Sequence, residues 1–183
     1  MSEEKLNFMG LSGRLIYHLP MARYTSWRVG GPVDRAYFPK DKDDLARFLA
    51  QLPQDEPVYF LGLGSNLLIR DKGIRGTVIM MHKNLQHYGV VPENPQQIFA
   101  EVGVPSPKIA KLAAKNSLKG AAFLAGIPGT VGGALAMNAG CYGAETWDFV
   151  KQVEVMDHTG TIHTRFPHDY DIRYRHIIPK PPI

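Results

Sequence analysis

The chain has 183 residues, 44% of them hydrophobic and 21% charged, the balance of a folded globular protein with room for one domain or two small lobes. No apolar run approaches the roughly 18 residues of a membrane span, the polar and acidic start Met1-Ser-Glu-Glu-Lys5 does not read as a secretion signal, and the formal charge of +4 comes from scattered Lys and Arg rather than a basic run. A membrane or a nucleic acid is therefore not expected as a partner, a cytoplasmic location is, and the single cysteine, Cys141, rules out an internal disulfide and gives no thiolate metal site.

In chain order, Met1 to about Leu19 has little pattern, and residues 1–20 are read as an N-terminal extension. Tyr24 to Pro32 is a short extended run meeting a Gly-Gly-Pro turn, and Ala36 to Pro39 is the strand that follows. Asp41 caps a helix in which Leu45, Phe48, Leu49 and Leu52 share one face, with Pro53 ending it. Val58 to Leu61 reads as a buried strand that delivers the chain into Gly62-Leu-Gly-Ser-Asn66. That pentapeptide begins like a dinucleotide-binding Rossmann loop, but Leu67 stands where the third glycine belongs. A turn at Asp71-Lys-Gly73 and a strand from Gly76 to Met81 then follow where a Rossmann unit needs a long helix. What remains is a strand end able to turn backbone N–H groups, a hydroxyl and an amide onto a pyrophosphate, or a plain turn in which Asn66 satisfies its own backbone.

The polar stretch His82 to Gln97, with Pro92 and Pro95, marks a boundary between a first lobe at about 21–83 and a second at about 96–183. Ile98 to Val102 is a strand; Ser106-Pro107 opens a helix over Lys108 to Leu118, which Gly120 stops. Ala125 to Gly143 follows, nineteen residues with six glycines and no charge. Such bare backbone among apolar side chains suits close approach by a phosphate or a flat polar ring, or tight packing of a helix on a sheet. Lys151 to Asp157 and Thr161 to Arg165 form a hairpin, and no helix or strand is expected in the proline-rich ending from Pro179. Trp27 and Trp147 are expected in the core, and Cys141 as a small apolar packer.

Thr25-Ser-Trp-Arg-Val-Gly-Gly31, Gly62-Leu-Gly-Ser-Asn66, Gly126-Ile-Pro-Gly-Thr-Val-Gly-Gly133 with Met137-Asn-Ala-Gly140, and Tyr174-Arg175 stand in the order and spacing of the UDP-N-acetylenolpyruvoylglucosamine reductase (MurB) family, which the chain resembles from about Met21 to Arg175. The resemblance implies an α+β fold: a two-lobed FAD-binding domain of the PCMH or vanillyl-alcohol-oxidase type, with the family's substrate-binding domain absent. It implies non-covalent FAD, NADPH as co-substrate, and hydride transfer to UDP-N-acetylglucosamine enolpyruvate, giving UDP-N-acetylmuramate for peptidoglycan synthesis.

By the same resemblance, Gly62, Gly64, Ser65 and Asn66 would hold the FAD pyrophosphate. Gly126, Ile127, Pro128, Gly129, Thr130, Gly132, Gly133, Asn138 and Gly140 would line the ribityl chain and ring edge. Arg175 matches the family's catalytic arginine, a planar fork suited to a substrate carboxylate, although an ion pair with Asp169 or Asp171 is the alternative. Tyr142 would face the substrate or pack in the core. Ile177 departs from the hydroxyl residue common in the family, and no residue matches the family's proton-donating serine or downstream glutamate. The expectation is an incomplete form that keeps the flavin architecture and loses most turnover, either a reductase whose catalysis resides in a longer parent, or a non-catalytic flavin or nucleotide module completed by a missing C-terminal domain or second chain.

Overall fold

A computed structural model describes residues 8–180. The first half builds a four-stranded sheet from β1 (Arg14–Pro20), β2 (Pro32–Phe38), β3 (Val58–Leu61) and β4 (Ile74–Met80), with α1 (Lys42–Leu49) between β2 and β3. The spatial order is β1-β2-β4-β3; β1 runs antiparallel to β2, while β4 pairs in parallel with both β2 and β3. β1 falls within the stretch read as patternless. It is a half-exposed edge strand, with His18 at φ 52, so it has no clean alternation to read. The run before Pro32 is likewise not a strand but a 3-10 turn at Met21–Tyr24 followed by a loop.

Asp41 caps α1 as expected, accepting from the Asp44 N–H at 2.8 Å, and Leu45, Phe48 and Leu49 are buried. Leu52 lies just past the helix. β3 corrects the expectation of a buried strand: it is the outer strand of the sheet, and Tyr59 and Phe60 are 49% and 59% exposed. Its apolar and aromatic content marks a strand without saying how many neighbours cover it. Trp27 is 71% exposed on its loop, against expectation, whereas Trp147 is buried.

The second half is assembled from small hairpins. β5 (Tyr88–Val91) and β6 (Asn94–Ala100) pair across the stretch read as a lobe boundary, which Pro95 survives because a two-stranded ribbon leaves outward N–H positions free. α2 (Ser106–Lys115) begins and ends two to three residues before its predicted bounds; Pro105, not Ser106, takes the cap position. A 3-10 turn (Ala122–Gly126), α3 (Val131–Ala136) and the two-residue strands β7 (Gly140–Cys141) and β8 (Ala144–Glu145) carry the glycine-rich stretch. The predicted hairpin appears as β9 (Val153–Met156) and β10 (Ile162–Arg165). β11 (Tyr170–Arg173) and β12 (His176–Pro179) form a last hairpin, so the ending holds a strand as far as Pro179, where a ribbon terminus no longer needs a proline N–H. Residues 181–183 lie outside the described ones.

Two clusters fill the first sheet's faces. Met21, Val33, Ala36, Leu61, Ile69, Val78 and Met80 form one; Tyr37, Phe48, Leu49, Ile79 and their neighbours form the other, with Val102 and Met156 from the second half packed onto it. The core therefore crosses the 83–96 stretch. Among the described residues no helix is long and apolar enough to cross a membrane.

Candidate functional site

The loop after β3 and the glycine-rich stretch are brought together by close backbone approach. A Cβ on Gly62 would lie 2.5 Å from Thr130 Oγ1, so only glycine lets that hydroxyl seat against the strand end. Two residues on, Gly64 has φ +67, a Cβ there would meet Tyr24 O at 2.1 Å, and its carbonyl accepts from Ser26 N–H at 3.0 Å. The loop is thus pinned from behind by Tyr24 to Ser26, a supporting role for the Thr25-Ser-Trp block that its sequence did not announce.

The exposed side of the loop is different. Among the described residues the backbone N–H groups of Leu63, Gly64, Ser65 and Asn66 find no protein acceptor, and the Ser65 hydroxyl and Asn66 amide make no hydrogen bond. Ser65 and Asn66 form a turn, but the Asn66 side chain does not close it on its own backbone.

The second loop is tied down, yet two N–H groups on its buried residues likewise stay free. Ser106 N–H donates to Gly129 O at 2.9 Å, Val131 N–H to Val104 O at 2.8 Å and Gly132 N–H to Val102 O at 2.9 Å. Thr130 caps α3, accepting from Gly133 N–H at 3.3 Å. The N–H groups of Gly129 and Thr130 have no acceptor among the described residues. A Cβ on Gly129 would meet only Ser65 Oγ, at 3.5 Å, and one on Gly133 only Thr130 Oγ1, at 3.7 Å. Protein packing does not require glycine at these two positions, whereas a ligand lying between the loops would. Ile127 belongs to a small core with Phe123 and Ala134, and Pro128 is exposed.

Asn138, Gly140 and Tyr142 are held by a separate clamp. Asn138, buried at φ 41, donates from Nδ2 to Glu145 Oε2 at 2.6 Å and accepts from Trp147 N–H at 3.1 Å. Its side chain is therefore a brace for the backbone more than a ligand contact. Trp147 Nε1 donates to Leu135 O at 2.8 Å, and Thr146 Oγ1 to Ala139 O at 2.7 Å. Gly140 is tight against Ala144 O. Tyr142 and Gly143, both at positive φ, make the two-residue turn between β7 and β8; Tyr142 is 83% exposed, which removes the core-packing alternative for it. A Cβ on Gly126 would press on Cys141 Sγ at 2.5 Å and the Tyr142 ring edge at 2.9 Å, which close over it; Cys141 is half-buried.

Arg175 sits at the tip of the β11–β12 hairpin at φ 53, its guanidinium 5.4 Å from the Tyr174 ring centre. The alternative ion pairs do not form: Asp171 pairs with Arg173 at 2.8 Å, and the Asp169 carboxylate accepts from the Phe166 N–H at 2.8 Å. No hydrogen bond or ion pair joins Arg175 to either loop among the described residues. The hairpin's base does connect, since Tyr170 packs on Trp147 with ring centres 4.8 Å apart.

Residues 33–165 match the profile of the FAD binding domain family. UDP-N-acetylenolpyruvoylglucosamine reductase of Nitrosospira multiformis is 53% identical over 173 residues, 94% of this chain and 50% of that protein; that of Thiobacillus denitrificans is 46% identical over 94% of this chain and 56% of its own length. The chain thus spans about half the length of the curated relatives it matches. Among solved structures, the UDP-N-acetylenolpyruvylglucosamine reductase (MurB) of Thermus caldophilus superposes with a TM-score of 0.70 at 29% identity, covering 93% of this chain and 59% of that one. The 6-hydroxy-D-nicotine oxidase of Arthrobacter nicotinovorans superposes at 0.63 with 15% identity over 87% of this chain and 37% of its own, a likeness of fold alone. The architecture is accordingly the α+β, PCMH-type FAD-binding fold.

Proposed function

The chain belongs to the FAD binding domain family, its relatives are UDP-N-acetylenolpyruvoylglucosamine reductases, and from that premise we propose that it holds FAD non-covalently between the two loops and serves the reduction of UDP-N-acetylglucosamine enolpyruvate by NADPH in peptidoglycan synthesis. The observation that carries this reading is the pair of adjoining loops whose N–H groups, at Leu63 to Asn66 and at Gly129 and Thr130, have no acceptor among the described residues. A diphosphate is the ligand such a cradle suits, because backbone donors neutralise it without a metal and a short glycine backbone lets it approach.

The roles divide by residue. Gly62, Gly64, Ser65 and Asn66 take the diphosphate, with Ser65 and Asn66 adding side-chain donors. Gly126 to Gly133 form the wall along the ribityl chain and ring edge, and Asn138 and Gly140 keep that wall in shape. When bound, FAD supplies the hydride carrier. Arg175 offers a permanently protonated fork to the substrate carboxylate, with Tyr142 exposed nearby in sequence to the wall for substrate contact. A second reading, a flavin module completed by another polypeptide, draws on the half-length coverage of the relatives.

The test is reconstitution. The purified chain is titrated with FAD, and NADPH oxidation is followed with and without the UDP-sugar. FAD uptake with substrate-dependent oxidation supports the reductase; FAD uptake without turnover supports the module; failure to take up FAD sinks both.

A further inference from the structure

No Asp or Glu occurs between Glu101 and Glu145, so the glycine-rich stretch carries no carboxylate of its own. The first one after it folds back onto it. Glu145 lies opposite Gly140 in the β7–β8 ladder, half-buried, and its Oε2 accepts from Asn138 Nδ2 at 2.6 Å. A Cβ on Gly140 would stand 3.2 Å from Glu145 Cγ, so the bare backbone there leaves the path along which the side chain crosses. The same carboxylate accepts from the Asp148 N–H, while Asp148 Oδ2 accepts from the Glu145 N–H at 2.9 Å, a reciprocal cap on the 3-10 turn Thr146–Asp148. One side chain thus ties together the segment after α3, the β7–β8 ribbon and the turn that carries Trp147.

Asn138 is buried at φ 41, a left-handed conformation that a residue with a side chain keeps only where its surroundings hold it. With Nδ2 on Glu145, the amide is turned so that Oδ1 meets the Trp147 N–H. The bond to the carboxylate is the stronger of the two because its acceptor is charged. Beyond Asn138 the ribbon brings Cys141 Sγ and the Tyr142 ring edge over Gly126, where the Gly-Ile-Pro-Gly wall begins. We infer that Glu145 is a positioning residue for the ring and ribityl part of the flavin site, acting through Asn138 and the β7–β8 ribbon with no contact of its own to the cofactor. The inference rests on the flavin reading. The loop assigned to the diphosphate, Gly62 to Asn66, is braced separately by Tyr24 to Ser26, so Glu145 serves the flavin end of the ligand alone.

The experiment compares three substitutions at this position. Glu145→Ala removes the acceptor; Glu145→Gln keeps an acceptor oxygen of the same reach without the charge; Glu145→Asp keeps a carboxylate for the Asp148 N–H but is one methylene too short for Asn138. Asp44→Asn, which removes the buried carboxylate of α1, is the control for lost stability. Affinities of the apo-protein for FAD, FMN and riboflavin are measured, with the thermal midpoint and the visible circular dichroism of the bound flavin at saturation. Glu145→Ala and Glu145→Asp are expected to lose about tenfold or more for all three flavins alike and to alter the dichroism, while Glu145→Gln stays within about threefold of wild type. Wild-type affinities in Glu145→Asp, a loss confined to FAD, a glutamine variant as weak as the aspartate one, or an equal loss in Asp44→Asn overturns the inference. Should Glu145→Ala not fold, the contrast between the glutamine and aspartate variants decides alone. If the wild-type chain takes up no flavin, the flavin reading falls by itself. Amide exchange at Thr146 and Trp147, whose N–H groups bond Ala139 O and Asn138 Oδ1, then tests the tie in the apo-protein. Faster exchange in Glu145→Asp supports it, and rates equal to wild type overturn it.

Discussion

Gly62 and Gly129 belong to the two adjoining loops of the candidate site and answer to different demands. At Gly62 an added methyl would press on Thr130 Oγ1 at 2.5 Å, so Gly62→Ala forces the two loops apart. Overpacking of this kind costs about 1–3 kcal/mol, and the expected outcome is a lower thermal midpoint together with weaker FAD binding. At Gly129 the methyl meets only Ser65 Oγ at ordinary contact distance. Gly129→Ala should leave the thermal midpoint within a few degrees of wild type while reducing FAD affinity, read by flavin titration. Equal FAD affinity in that variant would mean the space between the loops is not where the cofactor lies.

Asp44 is the other residue whose environment decides an outcome. Burial alone would raise its pKa, but the hydrogen bonds from the Tyr37 hydroxyl and the Lys40, Ser12 and Gly13 N–H groups outweigh it and hold the carboxyl below its ordinary value. Tyr37 is pushed up, first by its own burial and then by Asp44. A depressed carboxyl contributes stability above its unfolded pKa, about 4, and loses it as pH falls through the folded value; the raised phenol contributes below about pH 10 and loses it as pH rises. Melting curves should therefore show an acid limb below about pH 4 that flattens in Asp44→Asn. Asp44→Ala, which strands the Tyr37 hydroxyl and the Lys40, Ser12 and Gly13 N–H groups, should cost on the order of 3 kcal/mol.

Among the elements, those with a strong local signal were legible. The Asp41 cap and the apolar face of α1 stand as read, because a helix of that period has one way to bury itself. The strand-turn-strand after Gly62 also stands, since no helix pattern occurs between β3 and β4. Elements defined by partners distant in sequence were not legible. β1 is held by pairing with β2, and β3 is an edge strand only because no further strand among the described residues pairs with it. Likewise the glycines of the site could be seen, but not that Asn138 is spent on Glu145 and Trp147; that depends on a turn with Tyr142 and Gly143 at positive φ.

The β11–β12 hairpin offers a test at this same scale. Arg175 occupies a left-handed conformation that disfavours side chains by about 1–2 kcal/mol. Arg175→Gly should leave the fold as stable or slightly more so. Arg175→Lys keeps the charge but loses the fork, and is expected to lower substrate-dependent NADPH oxidation by about 100-fold with FAD affinity unchanged. Loss of FAD binding in both variants would reassign Arg175 from substrate to cofactor.

At the scale of the molecule, the two halves are not independent units. Val102 and Met156 pack onto the cluster around Tyr37 and Phe48, and Gly160, at the tip of the β9–β10 hairpin, lies so close to Ala46 O that a Cβ there would sit 2.5 Å from it. FAD bound between loops from both halves should stabilise them together. At a concentration 100 times its Kd the gain is about 2.7 kcal/mol, a rise in thermal midpoint of roughly 5–10 °C.

The seat of Thr130 against Gly62 also has a consequence for synthesis. The first loop leaves the ribosome long before the residue that closes it, and longer still before Trp147 emerges to brace the second wall. During that interval the nascent chain carries a row of donors with no counterpart, and on the proposed reading flavin would be captured only once both walls exist. Cofactor loading would then be a late event in the life of each molecule, following translation rather than guiding it.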